Sequence, residues 1–144
     1  MSSENIGENV DKFVDAFNNH DIDRLMRAYA DDCVLMDPAI LELHGITAIR
    51  GYYATLFEAV PDAEIELNNV LTSDRLVATQ FMLRGTHKGV LGPPLDFRPS
   101  NKKFALPGAC FCLVSNGKIV AQTNYMDIGG LLEQIGIQVE RKAA

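Results

Sequence analysis

The chain is poor in the residues on which several chemistries depend. It has three cysteines in 144 residues, Cys33, Cys110 and Cys112. They form no CxxC pair and no even framework, so reduced thiols are expected rather than disulfides. Its three histidines, His20, His44 and His87, are scattered without metal-ligand spacing, which argues against a zinc site. Basic residues are outnumbered, 13 Lys and Arg against 19 Asp and Glu, for a net charge of −6. That balance argues against nucleic acid and anionic membranes as partners. No apolar run approaches the roughly 18 residues of a membrane span. The opening MSSENIGENV lacks a basic stretch followed by an apolar core, so no secretory signal is expected and the cytoplasm is the expected location. Neither an internal repeat nor a linker is visible.

What is present suits a folded protein. The sequence is 47% hydrophobic and 22% charged, and its length fits one domain spanning residues 1–144. Ile6, Val10, Phe13, Val14 and Phe17 recur at helix spacing. Asp21 is a good N-cap for a second helix carrying Ile22, Leu25, Met26 and Tyr29 on one face. The spacing predicts helices over 4–18, 21–30, 47–59 and 128–135, with Thr47 as the cap of the third. A short strand covers Cys33 to Met36, and residues 38–46 read as a loop.

After Pro61 the period changes to two. Ile65 and Leu67 alternate with Glu64 and Glu66, and Val77, Thr79, Phe81, Leu83, Gly85 and His87 share one face of the next strand. Residues 88–102, with three prolines and two glycines, read as a long loop of the kind that serves as a lid, a dimer contact or a mobile segment. Phe104 to Val114 returns as a strand, and Asn116-Gly117 is a tight turn into the last strand, Lys118 to Met126. One face of that strand carries Thr123, Tyr125 and Asp127, the other Gln122, Asn124 and Met126. Helices segregated from a hairpin-connected antiparallel sheet make the fold class α+β. Helices on the concave side of a strongly twisted sheet leave a conical cavity.

Four stretches in order, YADDCVLMDP, HGITAIRGYYATLFEAVPDAEIE, GTHKG and GKIVAQTNYMDIGGLLEQIG, are similar to the SnoaL-like polyketide cyclases. These lie within the wider nuclear transport factor 2-like and ketosteroid isomerase superfamily. The resemblance covers nearly the whole chain. It implies a cone-shaped α+β barrel, a curved antiparallel sheet with helices packed on its concave face. It also implies a homodimer, an internal pocket for an apolar small molecule, and no metal or organic cofactor. The activity it implies is intramolecular aldol cyclisation, or a related isomerisation, with an acid/base residue moving a proton α to a carbonyl. A non-catalytic binding or dimerisation module on the same fold is the alternative. The chain departs from the cyclase pattern at Gln122-Thr123, where such cyclases often have His-Trp, and in its longer PPLDFRPSNKK loop.

Three residues are the candidate acid/base groups. Asp127 closes the last strand and matches the aspartate that resembling cyclases place before their terminal helix. At the edge of an apolar cavity its pKa would rise by desolvation. Its position also fits a plain helix cap. Asp37 follows the first strand, where the resemblance implies a polar residue pointing into the pocket, and where a turn aspartate before Pro38 is the other reading. His87 shares a face with Phe81 and Leu83 and is either a catalyst or a hydrogen-bonded structural residue. Tyr53, Phe57, Phe81, Phe104 and Tyr125 are expected to line or plug the cavity, with the Tyr125 hydroxyl able to hold an oxyanion.

Overall fold

The computed structural model describes residues 3–138. Helix α1 (Ser3–Asn18) and the short α2 (Ile22–Met26) come first, followed by strands β1 (Tyr29–Asp37) and β2 (Leu41–His44). Helix α3 (Ile46–Ala59) leads to β3 (Glu64–Ser73), β4 (Leu76–Thr86), β5 (Lys103–Ser115) and β6 (Lys118–Met126), and α4 (Ile128–Gln134) closes the series. One six-stranded sheet has the order β2-β1-β6-β5-β4-β3, curved but not closed. The α+β architecture is therefore as the sequence implies.

Two features of the sheet differ from expectation. It is not wholly antiparallel, because β1 runs parallel to β6, with Leu35 opposite Gln122 and Met36 opposite Thr123. These strands are neighbours only in space, so no hairpin dictates their relative direction. Residues 38–46 are also not all loop, since Leu41–His44 pairs antiparallel with β1. Leu41 and Leu43 alternate with exposed Glu42 and His44, a period-two signal too short to read beside Pro38.

Helix ends follow local chemistry. Asp21 caps α2 as expected, its Oδ1 accepting the Arg24 N–H at 3.2 Å. That helix ends early, and Tyr29 belongs to β1. Its burial fits either period, and the hydrogen bond from Ile119 N–H to the Ala28 carbonyl, 2.8 Å, draws the chain into the sheet. Helix α3 starts after Gly45, at φ +89°, without a side-chain cap, so Thr47 does not play that part.

The core lies between one face of the sheet and the helices. Ala16 and Phe17 of α1, Leu25 and Met26 of α2, and Ile49, Tyr53, Leu56 and Phe57 of α3 meet Tyr29, Cys33 and Leu35 of β1, Phe81 and Leu83 of β4, and Phe104, Leu106 and Cys110 of β5. Burying an aromatic or large aliphatic side chain of this kind contributes about 1.5–3 kcal/mol. Opposite Phe81 stands Gly108, where an added Cβ would lie 2.6 Å from the Phe81 ring, so the glycine lets that ring lie across β5.

The long segment between β4 and β5 is pinned at both ends. His87 N–H donates to the Lys102 carbonyl at 2.9 Å, Asn101 N–H to the His87 carbonyl at 2.8 Å, and the Lys88 and Gly89 amides to the Ala59 carbonyl at 2.9 Å. Among the described residues no helix is long and apolar enough to cross a membrane.

Candidate functional site

Packing helices onto a curved sheet leaves a cavity of about 550 Å³ between α1, α3 and strands β3 to β6. Its walls are mainly apolar, with Phe13, Phe17, Leu56, Phe81 and Leu83 among them. Exposed Asn9, Lys12, Arg27 and Gly117 also line it and mark its mouth, at the β5–β6 turn. The volume suits a drug-sized ligand, for which pockets of about 300–1,000 Å³ are usual.

Polar groups converge at the floor. The inward face of β6 carries Gln122 and Asn124, both buried, the latter 7% exposed. Polar side chains survive there because they bond one another. Tyr29 of β1 donates its hydroxyl to Gln122 Oε1 at 2.6 Å. That uses its single proton, so the Tyr53 hydroxyl of α3, 2.6 Å away, donates to Tyr29. Gln122 Nε2 in turn donates to Asn124 Oδ1 at 3.0 Å. The Asn124 Nδ2 amide has no hydrogen-bond partner among the described residues, and Asn124 lines the cavity. Desolvation pushes both tyrosine hydroxyls well above their ordinary pKa, reinforced for Tyr29 by the neighbouring Tyr53. The chain is therefore neutral, and its free end is a donor facing an apolar space.

Of the eight sequence candidates, only Tyr53 and Phe81 line this cavity. Phe57 lies behind it, 5.1 Å from Phe17 and stacked on His20 at 4.2 Å between ring centres. Phe104 is buried in the core beside it. Tyr125 sits on the opposite face of β6, 54% exposed, with its ring edge-on to Phe111 at 6.2 Å; the expected wall position is not the observed one. Alternation along β6 allows one set inward, and the buried hydrogen-bond chain selects Gln122 and Asn124.

The three acid/base candidates lie apart. Asp127 is exposed at the start of α4, where its Oδ1 accepts the Gly130 N–H at 3.0 Å. His87 is fully buried at the root of the long loop. Its Nδ1 accepts from the Ser100 N–H at 3.1 Å and from the Ser100 hydroxyl at 3.0 Å, and burial holds its pKa below the usual value. Asp37, 3% exposed, faces inward from the end of β1. Its Oδ1 accepts the Ala39 N–H at 3.0 Å, while its Oδ2 is sealed without a partner. Desolvation raises its pKa, against the pull of the Ala39 amide. Tyr52 lines the cavity wall, and burial together with the Asp37 charge pushes its hydroxyl to about 12.

Sequence reasoning missed Tyr29, Tyr52, Gln122 and Asn124. A detectable signal existed for the last two, since two carboxamides at i and i+2 on a core strand must find buried partners. Cys110 and Cys112 also line the cavity, with Sγ atoms 3.4 Å apart. The contact with Cys110 and desolvation raise the Cys112 thiol well above its ordinary value, which leaves it protonated. Among the described residues no three His, Cys, Asp or Glu side chains cluster as metal ligands.

A family profile described as SnoaL-like domain matches residues 10–122. No curated protein matches the chain. Several solved structures resemble it closely in shape and weakly in sequence. A protein provisionally named a SnoaL-like polyketide cyclase, from Jannaschia sp. CCS1, superposes with a TM-score of 0.83 at 20% identity, covering 96% of this chain and 98% of that one. AclR from Streptomyces galilaeus, provisionally named a hydroxylase, gives 0.81 at 18%, covering 94% and 98%. A protein of ketosteroid isomerase-like fold from Catenulispora acidiphila, solved in complex with trimethylamine, gives 0.76 at 18%, covering 94% and 98%. At these identities the likeness establishes the fold, and the different names show that the fold alone fixes no reaction.

Proposed function

We propose, from the premise that this chain belongs to the SnoaL-like domain family, that it binds an apolar small molecule bearing a carbonyl group and moves a proton at the adjoining carbon. The reaction class is aldol cyclisation or a related isomerisation, lyase or isomerase chemistry without a cofactor. The observation that carries this reading is the hydrogen-bond chain ending at Asn124 on the floor of an apolar cavity. A preorganised donor in such a place stabilises the oxyanion of an enolate more than the neutral ketone. Each link polarises the next, so the tyrosines strengthen the Asn124 donor. Asp37 is the proposed proton acceptor, because burial makes its carboxylate more basic and leaves Oδ2 free. Tyr52, which lines the cavity and whose hydroxyl feels the Asp37 charge, is the proposed relay.

The test is exchange of solvent deuterium into the α-carbon of apolar cyclic ketones and β-diketones, followed by NMR. The wild-type protein should accelerate exchange over buffer. Asn124→Leu should remove about 10²–10³-fold of that acceleration, the usual cost of one oxyanion donor. Asp37→Asn should remove about 10²–10⁴-fold, the usual worth of a general base. A ketone that binds without any accelerated exchange supports the second reading, a binding module. That reading has its own observation: among the described residues no Asp, Glu or His lines the cavity.

The same proposal includes a homodimer formed through the outer face of the sheet, one domain over residues 1–144, and a cytoplasmic location. Exposed Leu76, Phe111, Leu113 and Tyr125 lie on neighbouring strands β4, β5 and β6, a contiguous apolar surface that association would cover. Two free thiols in contact at Cys110 and Cys112 fit a reducing compartment.

A further inference from the structure

The cavity mouth carries a charge pattern opposite to that of the protein as a whole. Among the described residues, three cations, Lys12, Arg24 and Arg27, line it and no carboxylate does. Arg24 is occupied by Asp15, at 2.8 Å. Among the described residues, Lys12 and Arg27 have no acidic partner within 4 Å. A fourth cation stands behind them, since Lys118 Nζ donates to the Arg27 carbonyl at 3.3 Å. Lys12 comes from α1 and Arg27 from the end of α2, so two separate elements meet at the rim, with Lys118 of β6 reaching it only through the Arg27 carbonyl.

The net charge of −6 would repel an anion at long range. Charges further apart than the Debye length, about 8 Å at physiological salt, are largely screened. Asp15, the carboxylate seen at the rim, is spent on Arg24, which leaves Lys12 and Arg27 as the lining cations without an acidic partner among the described residues. Below the rim the walls are apolar, and at the floor the free group is a hydrogen-bond donor. The cavity is thus ordered along its depth: cationic, then apolar, then donor.

We propose that the ligand is an amphiphilic anion, an apolar body with a carboxylate at its solvent end and a carbonyl at its buried end. This assignment rests on the reading of the cavity as a small-molecule site and adds the charge of the substrate class. Lys12 and Arg27 hold the carboxylate at the rim, where it stays hydrated. The apolar body displaces water from the walls, and the Asn124 amide meets the inner oxygen. Charge at the rim fixes which end enters first, so the carbonyl rather than the carboxylate reaches the floor.

The experiment compares three ligands of one apolar chain: a medium-chain keto acid, its methyl ester and the corresponding keto amine, titrated by calorimetry against the wild-type chain and against Lys12→Gln/Arg27→Gln. The acid should bind the wild type on the order of tenfold more tightly than the ester, about 1.4 kcal/mol, and the amine most weakly. The acid's advantage should shrink as salt rises and vanish in the double variant, whose ester affinity is unchanged. Both substitutions are on exposed side chains, and circular dichroism checks the fold. The salt titration on the wild type stands without any variant. Equal affinity for acid and ester would overturn the anionic assignment while leaving the cavity reading intact. Failure of all three ligands to bind would overturn the cavity reading, and this assignment with it.

Discussion

The Tyr53 hydroxyl lies 2.6 Å from the Tyr29 hydroxyl, with both rings buried and their planes inclined at 43°. Tyr29 is the junction of the chain, since it accepts from Tyr53 and donates to Gln122. The two residues should therefore respond differently to loss of the oxygen. Tyr53→Phe removes one hydrogen bond and should cost about 0.5–1.5 kcal/mol. Tyr29→Phe leaves a buried donor on Tyr53 and a buried acceptor on Gln122, and should cost more, about 1–3 kcal/mol. Urea denaturation of both variants checks the order; equal losses would mean that the hydroxyls do not act in series.

Asp37 should make stability depend on pH in an unusual direction for a carboxylate. Desolvation raises its folded-state pKa above the unfolded value of about 3.9. Its contribution is therefore fully present below that pH and lost as pH rises through the folded value, where the native state must bury a charge. Asp37→Asn keeps an acceptor for the Ala39 N–H and carries no charge. The variant should melt higher than wild type at neutral pH, with the gain disappearing toward pH ~3. A lower melting temperature at neutral pH would mean that the carboxylate has a stabilising partner.

How far the sequence was legible depends on how local each signal is. Caps at Asp21 and Asp127, the Asn116-Gly117 turn and the alternation of β4 are fixed by neighbours along the chain, and they stand where periodicity put them. The parallel β1–β6 pair is a relationship between residues some 90 positions apart, such as Tyr29 and Ile119, and no local pattern encodes its direction. The face of β6 was the decisive ambiguity. Alternation divides Thr123, Tyr125 and Asp127 from Gln122, Asn124 and Met126, but composition favours neither. Only the Tyr29 hydroxyl, arriving from another strand, makes the amide face the buried one.

Asp127 tests whether the helix cap is the whole of that residue's role. Its carboxylate accepts the Gly130 N–H, so Asp127→Ala should cost about 0.5–2 kcal/mol, whereas Asp127→Asn should be nearly neutral because Asn caps about as well. Since Asp127 does not line the cavity, both variants should retain α-carbon exchange at the wild-type rate when folded. Loss of exchange in a folded Asp127→Asn protein would transfer the proton acceptor from Asp37 to Asp127 and require α4 to move on ligand binding.

The outer sheet face makes the assembly testable without any ligand. Phe111 and Tyr125 pack edge to face there, 44% and 54% exposed, with Leu113 beside them at 38%. Neither ring contributes to the core behind the sheet, so a charge at this position should leave the isolated fold standing. It would, however, have to be desolvated inside an interface, at a cost of several kcal/mol per ion. Phe111→Lys should therefore sediment as a monomer at micromolar concentration where wild type sediments as a dimer, with a circular dichroism spectrum unchanged. The Phe111→Lys monomer should still bind the neutral ester probe, because the cavity opens on the other face of the sheet between α1 and the β5–β6 turn. A wild type that is monomeric at that concentration would remove the dimer from the proposal and leave the apolar face to a partner other than a second copy.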